Sequence, residues 1–218
     1  MDGAAEVIKA LGKLKLIREL GLNGVPIENG SILSSSISEM QHLETLYVES
    51  SFNDNESIDL NLISPPTMLQ KLILQGGLKE FPEWMLDLQN LTVLRLEWPY
   101  SDKDPLQSLK SLQHLLSLFL VIRKYEGLQL HFQDGWFQKL KKLDVWSCFK
   151  LREIIIDKGS MPSLKTLDLV CFPNLKNIPT GIQHLDKLEV LFMWDVDDEF
   201  GECSSTRIGI GSCSICRL

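Results

Sequence analysis

A six-residue frame, apolar at its first, fourth and sixth positions, recurs eight times along this 218-residue chain. It occupies residues 17–22, 43–48, 69–74, 91–96, 115–120, 140–145, 164–169 and 188–193, with starts 26, 26, 22, 24, 25, 24 and 24 residues apart. All 24 frame positions are Leu, Ile, Val or Met, types that fill about a third of the chain, so chance placement is excluded. A unit this short cannot bury its own apolar side. Neighbouring units must stack and share one continuous core.

The spacing also gives the local structure. The last two apolar positions of each frame alternate, as in a short strand with one buried face. A further apolar residue stands three before most frames, at Leu14, Met40, Leu88, Leu112, Phe137, Met161 and Leu185. Another stands six before, at Leu11, Ile37, Ile63, Met85, Leu109 and Ile182. A step of three suggests a helical or 3₁₀ turn behind the strand. The period lies in the range of about 20–29 residues that marks leucine-rich repeats. The expected fold is therefore an α/β leucine-rich repeat solenoid, with a curved parallel β-sheet of about eight strands and helical, 3₁₀ or irregular return segments. Strands about 4.8 Å apart would make that sheet roughly 34 Å long.

The repeat domain is expected over residues 1–196. Val7, Ile8, Leu11 and Leu14 read as the return-side helix of a repeat, with no cap before them, which suggests the C-terminal portion of a longer chain or a truncated gene model. Residues 197–218, rich in Gly, Ser and Cys, read as a poorly ordered tail. Residues 49–67, with Asn53-Asp54-Asn55-Glu56 and Pro65-Pro66, read as an irregular surface loop.

Composition narrows the function classes. A net charge of −7 and a pI near 5.2 argue against nonspecific nucleic-acid binding and polybasic membrane contact. The longest strongly apolar run, 115–122, is too short to span a bilayer, and residues 1–13 lack the pattern of a secretory signal. The five cysteines, none before Cys148, do not form a disulfide framework, so a reducing, cytoplasmic location is expected. Cys203, Cys213 and Cys216 lack a nearby histidine to complete a zinc site, and Cys148 falls where such repeats bury a small residue. His42, His114 and His184 recur with the repeats, too far apart for one metal. No catalytic grouping, cofactor loop or metal set is expected, and the chain reads as non-enzymatic.

Candidate binding residues come from strand alternation, which sends the side chains between and after the frame positions onto the concave face. They include Tyr47, Glu49, Arg95, Glu97, Trp98, Phe119, Asp144, Trp146, Asp168, Phe192 and Trp194. Aromatic and arginine side chains interspersed with acids have the composition of protein-interface hot spots.

Several stretches go beyond the generic repeat. Phe81-Pro82-Glu83-Trp84-Met85 precedes Leu88-Gln89-Asn90-Leu91, and Ser163-Leu164-Lys165-Thr166-Leu167 leads to Phe172-Pro173-Asn174-Leu175-Lys176-Asn177-Ile178-Pro179. These resemble the C-terminal leucine-rich repeats of plant intracellular coiled-coil nucleotide-binding leucine-rich repeat (NLR) disease resistance proteins. The resemblance implies a sensor or autoinhibitory module in the defence response. Its partner would be a pathogen effector or a host protein, and the upstream nucleotide-binding domain where a longer chain carries one. The phosphate-binding loop of that domain, G-x-x-x-x-G-K-[ST], does not occur in this sequence. The other readings are a stand-alone scaffold or ubiquitin-ligase substrate adaptor, a metal or thiol enzyme centred on the tail, and a nonfunctional gene fragment.

Overall fold

The computed structural model describes residues 3–51, 57–76, 78, 81–97, 103–123 and 125–194. Each of the eight frames forms one strand of a single parallel sheet: β1 (Glu19–Val25), β2 (Thr45–Ser50), β3 (Lys71–Gln75), β4 (Val93–Glu97), β5 (Ser117–Val121), β7 (Lys142–Trp146), β9 (Thr166–Val170) and β10 (Val190–Trp194). The strands lie side by side in chain order. Their register aligns Leu20, Leu46, Leu72, Leu94, Leu118, Leu143, Leu167 and Leu191 in one row. The leucines of the six interior strands are almost wholly buried, each worth about 1.5–3 kcal/mol of transfer free energy. The ends differ: Leu20 keeps 6% exposure and Leu191 39%.

A recurring backbone fork brings each strand into line with its predecessor. The N–H groups of Thr92 and Val93 both donate to the Gln70 carbonyl, and those of Leu116 and Ser117 both donate to Thr92. The same pairing is repeated by Lys141 and Lys142 on Leu116, and by Lys165 and Thr166 on Lys141. Consecutive donors sharing one acceptor pin the register before the first strand residue, so the row of leucines cannot slip.

The return side is a mixture. Helix α1 (Gly3–Leu11) packs on α2 (Gly30–Ser38), and the short α3 (Pro105–Leu109) is capped by Asp104, whose carboxylate accepts from the Leu106 N–H at 2.8 Å. Single 3₁₀ turns lie at Ile27–Asn29, Glu83–Asp87 and Ile182–His184. Two returns are extended instead. Strands β6 (Gln129–Phe132) and β8 (Glu153–Ile156) pair in parallel as a second sheet, and Ile155 continues the ladder to Thr180. Leu130 with Phe132, and Ile154 with Ile156, bury every second side chain, and the β-branched run of β8 favours the extended form.

The structure corrects the reading of residues 49–67 as a surface loop. Strand β2 runs to Ser50, and Ile58, Leu60 and Leu62 are buried in the core. Ile58 bridges Leu78, and the Leu60 carbonyl accepts from the Trp84 indole N–H at 2.8 Å. Residues 52–56 lie outside the described residues. Two of the expected return-side apolar positions also face solvent: Leu14 is 49% exposed and Ile63 94%. The tail 197–218 lies outside the described residues.

Candidate partner-binding face

Within each strand, alternate side chains turn away from the core and form rows across the open face of the sheet. The middle row carries Gly21, Tyr47, Ile73, Arg95, Phe119, Asp144, Asp168 and Phe192 in register. Farther along the strands, Glu97, Val121, Trp146, Val170 and Trp194 make a second row. The two halves of this face have different chemistry.

Towards the N-terminus the side chains are tied to one another. The Tyr47 hydroxyl donates to Glu49 and accepts from the Gln75 amide nitrogen at 2.8 Å. Gln75 Oε1 accepts from Nε and Nη2 of Arg95, each at 3.2 Å. The guanidinium lies 4.0 Å from the centre of the Phe119 ring, and Phe119 packs on Trp146 with centroids 5.0 Å apart and planes tilted by 49°. Burial, helped by Glu49, pushes the Tyr47 phenol up to about 12. Burial also lowers the Arg95 guanidinium, against the pull of its acidic neighbours. One contact chain thus runs from β2 to β7. Glu97 stands beside it, accepting from the Gly76 N–H at 3.2 Å and facing the Arg123 guanidinium at 3.8 Å.

Towards the C-terminus the face is acidic and aromatic. Asp144 and Asp168 are direct neighbours in register, and the Lys142 ammonium reaches them at 3.2 and 3.8 Å. Asp144 is buried, and that desolvation pushes its carboxyl up to about 7. Its hydrogen bond with Asp168 adds to the rise, and Lys142 opposes it. Phe192 and Trp194 close the array, 40% and 49% exposed.

Of the residues expected from the sequence, Tyr47, Glu49, Arg95, Phe119 and Trp146 come together in one contact chain. Asp144 and Asp168 form a pair, and Glu97, Phe192 and Trp194 flank these groups. Trp98 lies outside the described residues. The reading passed over Gln75, Lys142 and Arg123 as site residues. Row arithmetic does place Gln75 on this face, just after the β3 frame, without marking it as a site residue, and it could have found Lys142, which lies two before Asp144 on the same face. It also passed over His131, whose Nε2 lies 2.9 Å from Asp157 on the return side and holds that carboxyl below its usual range.

Cys148 is fully buried and its thiol is pushed up by that burial, which suits packing rather than nucleophilic chemistry. Among the described residues no three His, Cys, Asp or Glu side chains are grouped to hold a metal, and no helix is long and apolar enough to cross a membrane.

A family model described as a leucine-rich repeat region matches residues 1–196. The chain belongs to the leucine-rich repeat family. This leucine-rich repeat chain is 29% identical over 197 residues to the disease resistance protein RPM1 of Arabidopsis thaliana, a match covering 90% of this chain and 21% of the relative. It is 31% identical over 185 residues to the probable disease resistance protein RF45 of the same plant, covering 83% and 18%. It thus spans about a fifth of the length of these relatives. Among solved structures, the plant peptide hormone receptor RGFR1 in complex with RGF2 matches with a TM-score of 0.53 at 20% identity, over 85% of this leucine-rich repeat chain and 30% of that one. A leucine-rich repeat protein of Leptospira interrogans matches with a TM-score of 0.50 at 22% identity, over 85% and 50%. At such identities the likeness is one of fold.

Proposed function

We propose that the open face of the sheet is the partner-binding surface of a non-enzymatic recognition module in plant immunity. The observation that carries this reading is the contact chain from Tyr47 through Gln75, Arg95 and Phe119 to Trp146. Its hydrogen bonds and ring contacts hold large side chains in place on a surface that the fold itself leaves open. Side chains fixed in this way lose little entropy on association, and aromatic anchors supply most of the energy of a protein interface. Similarity to disease resistance proteins supports the immune setting. The partner is a pathogen-derived or host protein, and in a longer NLR receptor also its nucleotide-binding domain, with recognition taking place in the cytoplasm.

The test places a photo-crosslinking residue at Phe119, Trp146 or Trp194 of the chain expressed in plant cells, with Glu83, Asp87 and Asp186 on the return side as controls. One protein crosslinked from all three face positions, and lost from the Trp146 and Trp194 positions on Phe119→Ala, is the expected result. Crosslinks to that protein from the return-side positions alone would move recognition to the opposite side.

A further inference from the structure

We propose that a second copy of this chain docks end to end on the array, its first strand, β1, laid parallel beside the last strand, β10. Among the described residues, β1 and β10 each have a strand neighbour on one side only. Of the 24 frame positions only five are not buried, Ile17, Leu22, Leu188, Leu191 and Met193, and all five belong to the first and last frames. The interior repeats bury the same positions by having a neighbour on each side. Each end is therefore an open section through the apolar core, bordered by the outer edge of a strand.

The two ends are complementary to each other. The backbone fork that joins successive strands runs from Glu44 and Thr45 to the Arg18 carbonyl at the first junction, and from Glu189 and Val190 to Lys165 at the last. Repeated once more, it would run from Arg18 and Glu19 of one copy to the Glu189 carbonyl of the other. The side chains of that row match as well. Arg18 pairs with Glu44 at 3.1 Å and Lys165 with Glu189 at 2.6 Å, while Arg18 and Glu189 remain 73% and 63% exposed. Across the junction the row reads Lys165, Glu189, Arg18, Glu44, so charge alternates without a break. Two positions before the frames, exposed Asp186 meets exposed Lys15. On the open face Phe192 falls beside Gly21, where an added Cβ would meet no atom within 4 Å, so the ring has room.

A second copy fits the β10 end better than an unrelated strand does. Any extended segment can hydrogen-bond to that edge. Covering Leu188, Leu191 and Met193 as well takes a repeat whose frame lies in the same register. Matching Asp186 and Glu189 takes one cation two before that frame and another at its second position. The first repeat of this chain has both, in Lys15 and Arg18. The two docking surfaces are different, so the contact does not close on itself and every copy leaves a free end. Association therefore proceeds beyond a dimer, with the open face of the sheet left uncovered and continuous from copy to copy.

Sedimentation velocity of the full-length chain at up to about 100 μM, in reducing buffer so that no cysteine links the copies, provides the test. The expected result is growth beyond a dimer as concentration rises. Arg18→Glu and Glu189→Arg each set like charges against each other at the junction, and each should weaken association about tenfold or more. An equimolar mixture of the two variants brings opposite charges back together at every junction, as does the chain carrying both changes. Both samples should recover association, which damage to the fold would not allow. A chain that stays monomeric, stops at a closed dimer or assembles regardless of these charges overturns the proposal. So does a failure of mixing to restore what the single changes lose. Growth that emerges only after residues 195–218 are removed overturns it too, since that segment would then be the occupant of the β10 end.

Discussion

At the scale of single residues, the molecule combines groups whose ionisation has been displaced, on the open face, with groups whose backbone geometry is fixed, on the return side. Asp144 shows the first. Its carboxyl titrates near about 7 in the fold, against about 3.9 in an unfolded chain, so the folded state binds more protons between those values. Stability from this group is greatest at low pH and declines as pH rises towards 7. Asp144→Asn should remove that decline. In denaturant titrations the variant should gain on the parent between about pH 4 and about pH 7, and a constant difference would show that Asp144 titrates normally. Gly181 shows the second. It sits at φ 87°, where an added Cβ would lie 1.9 Å from the Ile156 carbonyl oxygen, whereas Gly135 has φ 80° and open space around it. Gly181→Ala should therefore destabilise by more than about 1 kcal/mol, and by clearly more than Gly135→Ala, which carries the dihedral strain alone.

At the scale of elements, the second sheet is the feature that most changes how the repeats are held together. The Thr180 N–H donates to Ile154 and the Ile156 N–H to Thr180, both at 2.8 Å, so consecutive returns are bonded to each other as well as stacked. Helical or irregular returns would leave those amides to local partners or water. In hydrogen exchange, the amides of Ile156, Asp157 and Thr180 should exchange about as slowly as those of β7 and β9. Fast exchange at all three would show that the β8 side of the array is held by side-chain packing alone.

At the scale of the whole molecule, each repeat contacts mainly its neighbours, so the cost of a core substitution depends on where in the array it falls. Leu118 in β5 is fully buried between two strands, while Leu191 in β10 pairs with β9 and retains 39% exposure. An uncompensated carboxylate at Leu118 should cost about 3 kcal/mol or more and unfold the flanking repeats with it. The same change at Leu191 should cost a fraction of that and leave β1 to β7 folded. Circular dichroism and denaturant midpoints of Leu118→Asp and Leu191→Asp provide the comparison. Equal losses would mean that the array unfolds as one block.

The strand frame was fully legible because its signal is periodic: apolar residues at fixed offsets, repeated eight times, admit one register, and the alignment from Leu20 to Leu191 follows it. The open face was legible for the same reason, since strand alternation alone puts Tyr47, Arg95, Phe119 and Trp146 on one side. The returns were not. Leu130, Phe132, Ile154 and Ile156 alternate over too few residues to distinguish a strand from a turn, and it is the hydrogen-bonding edge of the neighbouring repeat that decides between them. Ile58, Leu60 and Leu62 were masked by a polar, proline-flanked setting, and only the Trp84 and Leu78 contacts draw them into the core. The pairing of Asp144 with Asp168, and the capture of Arg95 by Gln75, join residues 24 and 20 positions apart in sequence. Periodicity could place those side chains in a row. Their distances, burial and charge state depended on packing between strands, which is a property of the tertiary structure.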